Sequence, residues 1–281
     1  MSSSIQIPDN WPGELLDFII AQEDYENFLT PIREEMLPPL DLTFAALKYT
    51  SPEHAKVLVL GLDPYPRKES ACGIAFHDAS VTSWNDKFAP SLRNILLNLF
   101  SHTHSLPTNT KIQQLRAFLS SIDFSSPNDW FEHSSSQGVI WLNSALTYSP
   151  RLKQDSYKTH SVFWKPIILF IVKLIMKAKI RAFLTNSPFS PGVVIVLWGK
   201  HAQSYGNDFI QCKIKALEEL AMEFPNLKIG ENCGNELQIV EAPHPCFVPF
   251  HKVNSFEKIE FCQELLGQRK IEWIKTNSKT Q

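Results

Sequence analysis

The sequence predicts an α/β fold: a central, mostly parallel four-stranded sheet flanked by helices on both faces, making a three-layer sandwich. Three observations predict it. Four short runs, residues 56–62, 139–142, 193–198 and 237–241, are apolar and rich in β-branched residues. They are continuous rather than alternating, the pattern of strands covered on both faces. Helical patterns lie between them, as crossovers between parallel strands require.

The segment before residue 56 reads as largely helical and is expected to pack on the core. After the first run, Pro90-Ser91 gives a helix start signal, and Leu92, Ile95, Leu96 and Leu99 mark one apolar stripe. Further helices are expected over 162–178, 211–223 and 256–266. Residues 101–110, 149–159 and the Gly/Asn-rich 230–235 read as loops, the last as a surface insertion. No linker divides the chain, so residues 1–281 are read as a single domain.

Composition bounds the function without choosing it. A hydrophobic share of 43% over 281 residues supports a sizeable core. The net charge of −2 argues against a dedicated non-specific DNA coat, so any nucleic-acid contact needs a local patch. The first thirteen residues lack a basic segment and an apolar segment, so no secretion is expected. The most apolar stretch, 166–176, is too short to span a bilayer and contains Lys173; it reads as a buried helix. Cys72, Cys212, Cys233, Cys246 and Cys262 form no CxxC pair, so free thiols are expected and a metal centre is not.

The chemistry-bearing residues follow the strands. The first run ends in Gly61-Leu62-Asp63-Pro64-Tyr65, the second in Asn143, the third in Gly199-Lys200-His201 and the fourth in Pro243-His244-Pro245. Ligands of open α/β sheets bind beyond the carboxyl ends of the strands. Each residue also has a plain reading: Asp63 and Asn143 as turn formers, Gly199 as a tight turn, His244 as a packed loop histidine. One architecture brings all four to equivalent ends, and together they describe a site.

These residues carry a resemblance to the family 1 uracil-DNA glycosylases. Gly61-Leu62-Asp63-Pro64-Tyr65-Pro66, followed by Ala71-Cys72-Gly73-Ile74-Ala75-Phe76, resembles the family's water-activating loop and uracil-stacking segment. Ala89-Pro90-Ser91-Leu92 is similar to its proline-rich loop, and 138–147 to the strand that presents the uracil-reading asparagine. Leu197-Trp198-Gly199-Lys200-His201-Ala202-Gln203 resembles the Gly-Ser loop, and His244-Pro245-Cys246-Phe247-Val248-Pro249 the minor-groove loop. The likeness runs in order over residues 36–275, leaving 1–35 as a helical or flexible extension.

The resemblance implies a metal-independent glycosylase, without a cofactor, that removes a flipped-out uracil and so starts base excision repair. Asp63 and His244 are then the catalytic pair, and Leu62, Tyr65, Phe76 and Asn143 bind the uracil. Contacts to DNA are expected from Pro90, Ser91, Ser156, Lys158, Gly199, Lys200, Cys246, Phe247, Val248 and Lys252. The implied partners are single- or double-stranded DNA containing uracil and a proteinaceous glycosylase inhibitor. A monomer with no membrane contact is expected, in the cytoplasm of a bacterium or the nucleus of a eukaryote.

Several positions depart from the family pattern. Leu62 stands for a glutamine, Pro66 for a histidine, Lys200 for a serine and Cys246 for a serine. Phe247 and Val248 replace a proline and a leucine, so either is a candidate for the wedge that fills the vacated base stack. These changes fall on the grip more than on the chemical groups. They also motivate the alternative reading, a weak or inactive DNA-binding or assembly protein on the same fold.

Overall fold

The computed structural model describes residues 5–22, 25–185, 187, 192–225 and 236–275. Its centre is a four-stranded sheet, all parallel, built from β1 (Val57–Gly61), β2 (Val139–Asn143), β3 (Val193–Trp198) and β4 (Leu237–Ala242) in the order β2-β1-β3-β4. β1, β2 and β3 are buried along their whole length, which is why their sequences are continuous apolar runs. β4 differs from the expectation of cover on both faces. It is only partly buried, and Glu241 is exposed, so it admits polar residues, whereas β2, at the other edge of the sheet, is fully covered.

Successive side chains point to opposite faces of a strand, and this assigns two cores. Leu58, Leu60, Ile140, Leu142, Ile195 and Leu197 face one core. It is filled by α1 (Gly13–Ile20), α6 (Ser156–Leu184) and α8 (Gly206–Glu223). Val57, Val59, Val139, Trp141, Val194, Val196 and Trp198 face the other. That core is filled by α3 (Pro90–His104), α4 (Ile112–Leu119), α5 (Pro127–Ser136) and α9 (Ser255–Leu265). The short helices α2 (Tyr25–Leu29) and α7 (Lys200–Gln203) complete the set.

Pro90 opens α3 at its first turn, as the start signal predicts, since a proline there loses no helical hydrogen bond. Two expected loops are shorter than the sequence suggests. α3 runs on to His104 and closes on Ser105, whose N–H reaches the Phe100 carbonyl. Residues 149–159 form a 3-10 turn over Pro150–Asp155 and then the start of α6, which extends to Leu184. The expected helix, 162–178, already runs through Pro166, and Val162, whose carbonyl that proline cannot serve, lies on the exposed side. Helix α8 likewise starts earlier than expected, at Gly206. The expected insertion at 230–235 lies outside the described residues. Among the described residues no helix is long and apolar enough to cross a membrane.

Candidate active site

All four strands run the same way, so their carboxyl ends share one edge of the molecule. Gly61 and Asn143 are register partners on β1 and β2. A Cβ on Gly61 would lie 2.4 Å from Asn143 Oδ1 and 2.7 Å from Ala75 Cβ. Only glycine therefore lets the Asn143 amide lie across the end of β1. Asn143 itself is buried.

The exit of β1 is stitched to that of β2. Ser144 N–H donates to the Gly61 carbonyl at 3.0 Å. The Leu62 carbonyl accepts from Ala145 N–H at 3.0 Å and from the Ser144 hydroxyl at 2.8 Å. Leu62 thus anchors the turn by its backbone while its side chain is exposed. Asp63 follows, partly buried, and burial pushes its carboxyl up to about 6. Among the described residues none hydrogen-bonds that carboxylate.

Beyond Tyr65 the chain folds back as a clamped loop. Asp78 pairs with Arg67 at 2.9 Å and accepts from Ser80 N–H and Oγ at 3.0 and 2.6 Å. Ala75 N–H donates to the Trp141 carbonyl at 3.0 Å. The clamp holds Phe76 at φ 64°, a left-handed conformation costly for a bulky side chain. Its ring centroid lies 5.7 Å from that of Trp198, 6.4 Å from Trp141 and 6.3 Å from His244. Phe76 is therefore held at the rim of the second core, half-buried and beside His244. Burial pushes the Tyr65 hydroxyl up to about 12, against a hydrogen bond with Ser91 at the start of α3.

His244 is seated from behind by Gly199, which has φ 94° and whose Cβ would meet His244 Cβ at 2.8 Å. Cys246 N–H donates to His244 Nδ1 at 3.1 Å, so in the neutral ring the proton sits on Nε2. Burial lowers the His244 pKa and keeps the ring neutral. Gly199 N–H and the Gln203 amide both donate to the Ala242 carbonyl, at 2.8 and 3.0 Å, tying the ends of β3 and β4 together.

The expected DNA contacts divide. Pro90, Lys158, Lys200, Cys246, Phe247, Val248 and Lys252 are exposed, with Phe247 at 63% and Val248 at 75%. Gly199 and Ser91 are buried, and the Ser91 hydroxyl is turned to Tyr65. Ser156 corrects its expectation. It is fully buried, and its hydroxyl accepts from Ser149 N–H at 2.8 Å, so it fastens the start of α6.

Other residues of the site escape sequence reasoning. Asn94 donates to the Pro245 carbonyl at 2.6 Å, and Asn98 to that of Val253 at 2.8 Å. Ser255 N–H donates to Asn98 Oδ1 at 3.1 Å. These two asparagines, one turn apart on α3, hold the His244 loop from below; polar residues inside an apolar helical stripe were the available signal. Ser144, Tyr157 and His201 form a second hydrogen-bonded set beside Leu62.

The chain has relatives in sequence and in fold. Residues 47–266 match the model of the Uracil DNA glycosylase superfamily. A uracil-DNA glycosylase of Idiomarina loihiensis is 28% identical over 242 residues, covering 84% of this chain and 85% of its own. The UNG structure of Nitratifractor salsuginis superposes with a TM-score of 0.57 at 23% identity, over 90% of this chain and 94% of that one. A mimivirus UNG variant in complex with UGI gives 0.60 at 16% identity, over 96% and 89%. The two structures speak for the fold and the family model for descent: the chain belongs to the uracil DNA glycosylase superfamily.

Proposed function

We propose that this protein is a uracil-DNA glycosylase, which hydrolyses the N-glycosidic bond of a deoxyuridine flipped out of DNA and so starts base excision repair. The observation that carries this reading is the row of unlike groups along one edge of the sheet. An amide at the end of β2, a carboxylate just after β1 and an imidazole just after β4 follow strands that end at the same edge of the sheet, in a chain of this superfamily.

As the bond stretches, the sugar gains oxocarbenium character and the base leaves as an anion. Asp63, with its carboxyl near 6, is largely ionised at neutral pH yet more basic than an ordinary aspartate. It steadies the cation and takes a proton from the attacking water. His244, neutral with Nε2–H free to donate, stabilises the charge growing on uracil O2. The Asn143 amide pairs with N3–H and O4, which uracil offers and cytosine does not. Phe76 stacks on the base, and Tyr65 closes the space that thymine's methyl group would need.

Lys158, Lys200 and Lys252, with the Ser91 N–H at the start of α3, grip the phosphates on either side; Pro90 has no N–H to offer and that of Gly199 is spent on the Ala242 carbonyl. Phe247 or Val248, both exposed beyond His244, fills the vacated stack, with Cys246 at its base. The same surface would take a protein inhibitor such as the one bound to the mimivirus relative. The protein acts as a single domain and a monomer, in the compartment that holds the DNA.

The test is release of uracil from a labelled single-stranded oligonucleotide in excess EDTA, read by alkaline cleavage of the abasic site. Asp63→Asn and His244→Ala should each slow single-turnover release by about 10²–10³-fold. Strands with thymine or cytosine at that position should stay intact. The rate should fall on the acid side with an apparent pKa of about 6. Folded protein that binds the oligonucleotide but releases no uracil would instead be a binding protein on this fold.

A further inference from the structure

The Leu62 carbonyl belongs to the peptide plane whose nitrogen is that of Asp63, and a peptide plane turns as one body. Pro64 restricts Asp63 from the other side, since a residue before proline is confined to extended conformations. The placement of the Asp63 carboxylate therefore depends on how firmly that plane is held. Two donors hold it, Ala145 N–H at 3.0 Å and the Ser144 hydroxyl at 2.8 Å. Ser144 is fully buried, and its hydroxyl has one proton to give.

His201 aims that proton. Its Nε2 lies 2.9 Å from Ser144 Oγ, and because the serine proton is spent on Leu62, the ring is the donor in this contact. Burial lowers the His201 pKa, so the ring is neutral with its proton on Nε2. A serine oxygen that accepts on one side has its own proton turned to another. The imidazole has little freedom of its own. Tyr157 Oη lies 2.6 Å from Nε2 and 3.1 Å from Nδ1, and the Tyr157 and Tyr205 rings meet it edge-on at centroid distances of 5.0 and 5.5 Å. The His201 carbonyl accepts from the Ser204 hydroxyl at 2.6 Å and from its N–H at 3.1 Å. One imidazole thus joins the exits of β1, β2 and β3 to the first turn of α6.

We propose that His201 is a positioning residue for Asp63: by donating to Ser144 it aims the serine proton at the Leu62 carbonyl, and so fixes the peptide plane that carries Asp63. The hydrogen bonds of this set involve neither His244 nor the Asn143 amide. The device therefore acts on the nucleophile's side of the reaction. It rests on the glycosylase reading only for its effect on rate; the hold on the turn is independent of that reading.

The experiment has two readouts on the same variants. In free protein, Ser144→Ala and His201→Phe should each speed exchange of the Ala145 amide, the other donor to the Leu62 carbonyl, while the amides of β2 keep their protection. Ala145 exchange unchanged in both variants would overturn the proposal. On a uracil oligonucleotide, His201→Phe should slow single-turnover release about tenfold, as a small misplacement of a catalytic group does. His201→Gln, whose amide can still donate to Ser144, should recover most of the rate. The loss from His201→Phe should largely vanish beside Asp63→Asn and persist in full beside His244→Ala, because only the first shares its target. Equal losses in both backgrounds would mean general damage and would also overturn it. Wild-type protein that releases no uracil would defeat the glycosylase reading alone, since amide exchange needs no DNA.

Discussion

At the scale of single residues, the active site is bought with stability, and Asp63 shows how. Its folded carboxyl is raised by burial from 3.8 to about 6. Below about pH 4 the group is protonated in both folded and unfolded chains and costs nothing. Between there and about 6 the unfolded chain ionises first, so the native state loses stability as pH rises. Above about 6 the loss is complete. Asparagine carries no such penalty, so Asp63→Asn should raise stability at pH 7.5 by about 1–2 kcal/mol, discounted for the partial exposure of the group. Thermal melts across pH would check it: the gain should vanish below about pH 4, and a variant no more stable than wild type at pH 7.5 would refute the argument. His244 shows the complementary economy. A backbone N–H two residues away selects its tautomer, so no second side chain is needed to aim the Nε2 proton.

At the scale of elements, helix α3 does more than cover the sheet. Its apolar stripe packs Leu92, Ile95, Leu96 and Leu99 into one core, while Asn94 and Asn98 on the same helix bond the loop that carries His244. Asn94 Oδ1 is buried without a partner among the described residues, a cost that the bond from its amide to Pro245 offsets. Asn94→Ala should cost about 1–2 kcal/mol, because the Pro245 carbonyl is left unsatisfied. It should also speed amide exchange over 245–253 while α3 itself stays protected. Unchanged exchange in that loop would mean that the helix does not hold it. Strand β4 makes a related point, since its polar residues reflect its incomplete cover rather than weak strand character.

At the scale of the whole molecule, one sheet serves two cores, so neither layer is complete without it. Trp141 shows the coupling. Its ring lies within 6.4 Å of those of Phe76, Trp130, Phe131, Trp198 and Trp273, and its Nε1 donates to Ser134 at 3.0 Å. Trp141→Leu should therefore destabilise by about 3 kcal/mol or more in urea unfolding. Fluorescence and circular dichroism should still report one transition if the layers unfold together; separate midpoints would show that they do not. The crevice residue Phe76 leans on the same aromatic cluster, so packing far from the chemistry sets the face offered to a base.

Local pattern was enough to read the class of fold and the stations of the chemistry. Strands buried on both faces must be continuous apolar runs, and residues at their ends must turn or act, so Asp63, Asn143, Gly199 and His244 were visible from local pattern alone. The tertiary structure alone decided the order of the strands, and with it which stations are neighbours. It also decided the fate of Ser156, which an ordered motif offered to DNA and the packing of α6 buried. Helix ends slipped for the same reason: α6 begins at Ser156, in a stretch that reads locally as a loop, because packing of that buried turn sets where the helix starts. The hydrogen-bonded set of Ser144, Tyr157 and His201 was likewise out of reach. It depends on contacts between residues up to 57 positions apart, and no local periodicity encodes hydrogen bonds at that separation.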